Sequence, residues 1–168
     1  ERNRGKGSAI RLGLTKVNND FIALVDGDLG ESASKFEKLT DKIGSIDNAI
    51  IVGIMPPAKN KGGFGFVKSL SCRGIQQLTS VRVNSVLSGQ RVLPTHFLKG
   101  LELPDGFAVE FKITLEAIRN GYKIVEIPVE MYHRETKRDL KGFIHRGKQY
   151  CDIYVEIKKE LMKKQEIH

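Results

Sequence analysis

Nowhere in its 168 residues does the chain hold an apolar run approaching the ~18 to 20 residues that cross a bilayer. Its opening, ERNRGKGSAI, also lacks the apolar segment of a secretory signal, and a cytosolic chain is expected. Cysteine is scarce. Cys72 and Cys151 stand far apart with no CxxC and no Cys/His cluster, so neither a disulfide framework nor a zinc site is suggested, and buried or incidental thiols are expected. There is no internal repeat and no low-complexity segment. Helix-turn-helix and RNA-binding signatures are missing and the basic runs carry no interleaved aromatics, so no nucleic-acid partner is expected. NRGKG lacks the full GxxxxGK[ST] pattern and no strand precedes it in this chain, which argues against a phosphate-loop NTPase.

What is there fits one globular domain: 40% of the residues are hydrophobic and 29% charged. Twenty-eight Lys and Arg against twenty Asp and Glu leave +8, which favours an anionic partner such as a phosphorylated ligand, an acidic membrane surface or nucleic acid, and charge alone does not choose among them. Short apolar runs alternate with helical periodicity. Ile10, Leu14 and Val17 space as a helix, and Phe21 to Val25 is too short and too continuous for one, so it reads as a strand buried on both faces. Ser32 is placed to cap a helix with Phe36, Leu39 and Ile43 inward and Gly44 as its stop. NAIIVGIM, Asn48 to Met55, is a second buried strand, and the run from Pro56 through AKNKGGFGF is a glycine-rich basic loop, a candidate lid.

Further on, the pattern predicts a helix over Ser69 to Leu87, a short strand or turn at SGQRVLP, and a loose helix and turn at THFLKGLELPDG. A strong amphipathic helix follows, with Phe107, Phe111, Leu115 and Ile118 on one face and Gly121 as its stop. YKIVEIPVEMY is strand-like up to Pro128, and the tail sets Tyr150, Ile153, Tyr154, Ile157 and Leu161 on one stripe opposite lysines. Strands alternating with helices predict an α/β layered fold with a mostly parallel sheet.

The first strand runs into Asp26-Gly27-Asp28. In open α/β sheets ligands bind beyond the carboxyl ends of strands. Alternation lets both carboxylates face one way, and two carboxylates that close repel unless a positive charge lies between them. Mg or Mn would serve, since both favour oxygen ligands and both can hold a diphosphate. The plain alternative is a turn in which Asp-Gly merely ends the strand, and on spacing alone the two readings weigh about equally.

GKGSAIRLGL followed by DFIALVDGDLGES resembles the family 2 glycosyltransferases of GT-A fold. SGQRVL, GFAVEFKITLEAIRNGYKIVEIPV and HRETKRDLKGFIHRGKQYCDI resemble the same family in the same order, in particular bacterial members near the polyprenyl-phosphate sugar transferases. The resemblance implies a GT-A-like α/β fold over 1–168 as a single domain, the later two thirds of a glycosyltransferase domain. The strands that bind the nucleotide base would precede Glu1, and the piece alone is expected to bind donor weakly. It implies a nucleotide-sugar donor, Asp26 on the nucleotide side, Asp28 on the metal, and Gln90, Arg91 and Glu110 facing sugar and acceptor. Gly30 stands where relatives often carry Gln as a further ligand, with Glu31 or water as its substitute.

Glu110 is either the general base for a hydroxyl acceptor or an ordinary surface acid, and a phosphate acceptor would need no base. His133 could complete a metal site with Asp26 and Asp28, and Arg134 could bind the diphosphate. Arg134, Arg138 and Arg146 belong to a basic run through Lys148 suited to phosphate, or simply solvated. The function expected is therefore metal-assisted sugar transfer to an acceptor such as a polyprenyl phosphate, in the cytoplasm or peripherally at the inner membrane face. A sugar nucleotidyltransferase is the nearest enzymatic rival, but its glycine-rich signature belongs to a region this chain does not contain. The other class is a non-catalytic basic module on an acidic membrane or another polyanion, although Ile153, Ile157 and Leu161 at helical spacing more often pack on a domain.

Overall fold

The computed structural model describes residues 5–56, 64–133 and 140–166. Its elements run α1 (Lys6–Leu14), β1 (Phe21–Leu24), a 3-10 helix (Gly30–Phe36), α2 (Glu37–Thr40), β2 (Ala49–Ile54), α3 (Phe64–Thr79), β3 (Arg91–Pro94), α4 (Thr95–Lys99), α5 (Val109–Arg119), β4 (Lys123–Pro128) and α6 (Leu140–Glu166). The expected α/β layering is present. Among the described residues no helix is long and apolar enough to cross a membrane.

The strands form one sheet in the order β1-β3-β2-β4. β1, β2 and β4 run the same way, as a mostly parallel sheet requires. β3 runs against them, so β1/β3 and β2/β3 are antiparallel pairs and only β2/β4 is parallel. This reversal positions the site: Leu24 at the end of β1 faces Arg91 at the start of β3. A parallel β3 would have carried those residues to the other end of the sheet. β1 also departs from the expected burial on both faces. It is an edge strand among the described ones, with Phe21 and Ala23 exposed and Ile22 and Leu24 half-buried.

Period-two alternation on β2 and β3 splits the core. Ile50, Val52 and Leu93 face the layer of α1, α4 and α5, where Leu14, Phe97, Leu98, Val109 and Ile113 are buried. Ile51 and Val92 face the opposite layer, with Leu29, Phe36, Leu39, Val129 and Met131. A third cluster joins α3, α5 and α6 through Ile75, Phe111, Leu115, Ile153 and Ile157. α5 thus buries residues toward both the sheet and α6, more than the single stripe its periodicity suggested.

Two helices stop earlier than their patterns suggest. α1 ends at Leu14, short of Val17, and α3 ends at Thr79 rather than Leu87, where Ser80 takes a left-handed φ of 63°. The loop that follows α3 is tied to β4. The Glu126 carboxylate accepts from the backbone N–H groups of Asn84 and Ser85 and from the Asn84 side chain. Ser32 is not an N-cap either. It lies inside the 3-10 helix, and the predicted inner face holds at Phe36 and Leu39 while Ile43 is exposed. The candidate lid, apart from Pro56 and the start of α3, falls outside the described residues.

α6 packs on α5 through a charged network. Lys112 Nζ lies 2.8 Å and Arg119 Nη1 2.5 Å from the carboxylate of Glu160, whose side chain is 1% exposed. Burial by itself would raise the Glu160 carboxyl, but hydrogen bonds from Lys112 and Arg119, with their charges, outweigh it and hold its pKa at about 2. A depressed folded-state pKa means a contribution that is complete above the ordinary value of 4.5 and is lost as pH falls toward about 2. Glu160→Gln is expected to cost about 2 kcal/mol near neutral pH and to flatten the fall of the urea midpoint on acidification, because Lys112 and Arg119 lose their shared anion. A variant whose midpoint and acid sensitivity match those of the parent would remove this network from the stability of the α5/α6 contact.

Candidate active site

β1 ends at Leu24, and Gly27-Asp28 already lie in a turn, so strand alternation does not extend through the motif. The two carboxylates consequently meet different partners. Asp26 Oδ1 lies 2.6 Å from Lys6 Nζ, and its Oδ2 accepts from Gln90 Nε2 at 2.7 Å. The Asp26 backbone N–H donates to Gln90 Oε1 at 3.1 Å, so one amide grips both the side chain and the main chain of this residue. Gly89 makes this possible, since a Cβ there would overlap the Asp26 carboxylate. Asp28 instead meets His133, with Nδ1 and Oδ1 2.8 Å apart and both side chains about half exposed.

Lys6 is the site residue that sequence reasoning passed over. Its ammonium sits 2.6 Å from Asp26 and 2.5 Å from Glu110, bridging the end of β1 and the start of α5. Burial opposes its charge, but Glu110 and Asp26 more than compensate and raise its pKa. The signal was present in GKG. At Gly7 a Cβ would overlap the carbonyl of Pro104, and Gly5 takes a φ of +97° against Asp105. The glycines thus let α1 press its first turn onto the 104–105 backbone, with Gly7 N–H donating to Asp105 O at 3.1 Å. Arg11 reinforces the contact through Leu103 O and Asp105. Close helix packing, rather than a phosphate cradle, is what these glycines serve here.

Gln90 and Arg91, expected to face the sugar and acceptor, are both fully buried. Gln90 faces Asp26, as described. Arg91 lies beneath the site with Nε on Ser88 O at 2.7 Å, Nη1 on Thr114 Oγ1 at 2.8 Å and Nη2 on Val86 O at 2.5 Å. It is enclosed by its own scaffold in this structure. Burial lowers its pKa to about 10, with Glu110 and Asp26 working the other way. Glu110 is also nearly buried and faces Lys6, which places it beside Asp26 and not as a solvent-facing acid.

A cleft of about 380 Å³ opens beside Asp28, lined by Gly27, Asp28, Leu29, Gly30, Ser32, Tyr132 and His133. Among the described residues no group of three or more His, Cys, Asp or Glu stands together as a metal site. Asp28 brings to the cleft a carboxylate suited to a hard divalent cation, and His133 a borderline imidazole nitrogen that Mn takes more readily than Mg, with water and ligand oxygens to complete the set. Asp26 stands apart from them in this structure, with Lys6 on one of its oxygens and Gln90 on the other. Arg134 and Arg138 lie outside the described residues, and Arg146 falls on α6 at a position described only in its backbone.

The Lys6 bridge has a measurable signature. Lys6→Gln is expected to destabilise the fold by about 1 to 2 kcal/mol by leaving two carboxylates without their cation, and adding Glu110→Gln is expected to recover part of that loss. Urea unfolding of the two single variants and the double checks this. Strictly additive losses would mean that Lys6 and Glu110 are not coupled.

The chain resembles the uncharacterized protein MJ0544 of Methanocaldococcus jannaschii, with 30% identity over 149 residues covering 81% of this chain and 64% of that relative. Among solved structures it resembles glucosyl-3-phosphoglycerate synthase from Mycobacterium tuberculosis in complex with phosphoglyceric acid, at TM-score 0.70 and 19% identity. The match covers 91% of this chain and 55% of that one. The same enzyme in complex with Mn2+ and uridine-diphosphate-glucose matches at TM-score 0.70 and 19% identity, over 91% and 54%. The chain therefore spans a little over half the length of those structures and less than two thirds of its curated relative. The likeness to the solved enzymes establishes the fold. The sequence model described as Glycosyl transferase family 2 matches residues 1–97, more than half of the chain. The chain belongs to glycosyl transferase family 2.

Proposed function

We propose that this domain transfers a sugar from a nucleotide-sugar donor, with Mg or Mn held by Asp28 and His133 against the donor's diphosphate. The observation that carries the reading is the Asp28–His133 pair at the mouth of a cleft beyond the carboxyl end of β1. When bound, such a cation neutralises the charge that develops on a departing nucleoside diphosphate. Asp26 is the contact on the nucleotide side. A carboxylate offers roughly four lone-pair sites, so with one partner on each oxygen it still has capacity for a donor hydroxyl. Gln90 and Lys6 fix its position. Glu110, engaged by Lys6, steadies that ammonium and is not a free base.

An acceptor that attacks through a phosphate oxygen suits this arrangement, since an anionic nucleophile needs no general base. Polyprenyl phosphate, suggested by the sequence resemblance, is of this kind, and phosphoglyceric acid, bound by the solved relative, also bears a phosphate group. The run of Arg134, Arg138 and Arg146 that follows His133 in the sequence supplies cations suited to it. Titrating UDP and GDP calorimetrically into this chain and into one extended upstream, with and without Mn, tests the donor site. Binding that requires Mn and weakens at least about tenfold in Asp28→Ala is expected. Absence of binding in both chains would sink the reading.

One observation favours a second reading, a peripheral contact with an acidic membrane. α6 leaves Tyr150, Tyr154, Val155 and Met162 exposed beside Lys158, Lys159, Lys163 and Lys164. Sedimentation with anionic vesicles that is lost at high salt and indifferent to Asp28→Ala is expected on this reading; equal binding to neutral vesicles would dismiss it.

A further inference from the structure

The cleft is built from two segments that are distant in sequence, residues 27–32 and 132–133, and something must hold them in register. Leu29 and Met131 are both buried in the same core cluster, so each segment has one anchor below the surface. Asp28 and His133, the neighbours one and two residues away, face the cleft instead. Hydrophobic anchors set depth but not rotation, because apolar contact is non-directional. A directional link is supplied by Ser32.

The Ser32 hydroxyl lies 2.6 Å from Leu29 O, 3.3 Å from Tyr132 O and 3.1 Å from the Tyr132 backbone N. A hydroxyl has one proton and two lone pairs. It therefore donates to the closer Leu29 carbonyl and accepts from the Tyr132 N–H, satisfying both at once. Leu29 is the residue after Asp28, and Tyr132 is the residue before His133. One side chain thus bonds to the main chain immediately beside each member of the pair.

We infer that Ser32 is a positioning residue that fixes the mutual geometry of Asp28 and His133, and so the affinity and ligand set of the cation held there. The inference rests on the assignment of Asp28 and His133 to a cation under Proposed function. Outer contacts that orient metal ligands are typically worth ~10- to 100-fold in metal affinity. Ser32→Ala removes both bonds while leaving Leu29 and Met131 in place. Ser32→Thr keeps the hydroxyl.

The experiment is Mn binding to the full chain and to its Ser32→Ala, Ser32→Thr and His133→Ala variants. Affinity is followed by calorimetry, and electron spin-echo spectroscopy of the bound Mn reads the modulation from a coordinated imidazole nitrogen. The parent is expected to show the imidazole modulation, His133→Ala to lose it, Ser32→Ala to bind Mn about tenfold more weakly with that modulation diminished, and Ser32→Thr to restore both. Unchanged affinity and modulation in Ser32→Ala would overturn the inference alone. A parent that binds Mn with no imidazole modulation would remove His133 from the cation, overturning the earlier assignment and this inference with it. Loss of Mn binding in Ser32→Ala accompanied by loss of the cooperative thermal transition, and not restored by Ser32→Thr, would assign Ser32 to folding and also overturn it.

Discussion

The antiparallel pairing of β3 with β1 is the constraint on which the candidate site depends. Pairing Leu24 with Arg91 brings the residue before Arg91 alongside the residues that leave β1, so the Gln90 amide can bond to both the backbone and the carboxylate of Asp26. The other neighbour of β3 holds Gln90 from the opposite side. Gly53 on β2 donates its N–H to Gln90 O at 2.9 Å and packs close enough that any side chain there would press on Gln90 and Leu39. The backbone that carries the amide is thus held by both neighbouring strands. A donor–acceptor pair held this rigidly needs little reorganisation when a ligand arrives.

Beneath this lies a buried cation. Arg91 meets main-chain carbonyls and a threonine hydroxyl rather than a carboxylate at hydrogen-bond distance, yet Glu110 and Asp26 are near enough to favour its charge. With Lys6 above and Arg91 below, the two carboxylates sit between two cations, which offsets the cost of crowding like charges in a half-buried place. Arg91 also ties the 86–88 turn to α5 through Thr114, so the loop carrying Gly89 and Gln90 and the helix carrying Glu110 are held by one side chain.

α5 connects this centre to the rest of the molecule. Its first turn bears Glu110, its middle packs on the sheet, and its outer side meets α6 through Lys112, Glu116 and Arg119 around Glu160. α6 also reaches the segment that leads into the same helix, where Asp152 accepts from the Phe107 N–H at 3.0 Å. The long C-terminal helix therefore braces both α5 and the turn before it, although none of its described side chains lines the cleft.

Local chemistry made much of this legible in advance. The continuous apolar run of Ala49–Ile54, the amphipathic stripe of α5 with its stop at Gly121 and the carboxylates following Leu24 all follow from neighbours in sequence, and the family was readable from the ordered motifs. What sequence could not carry is whatever depends on contacts between distant segments. The four residues of β3 contain nothing that fixes their direction, which is set by how the 80–90 turn returns to the sheet. Periodicity placed Ser32 as a cap and Asp26 and Asp28 on one side, because it assumes that a regular element continues. The turn at Gly27 and Asp28 broke that regularity and handed Asp26 to Lys6 and Gln90 and Asp28 to His133, partners 20, 64 and 105 residues away. Residue types and local periods were determined by the sequence itself; which carboxylate meets which cation was decided by tertiary structure, since a directional contact exists only once the chain has closed on itself.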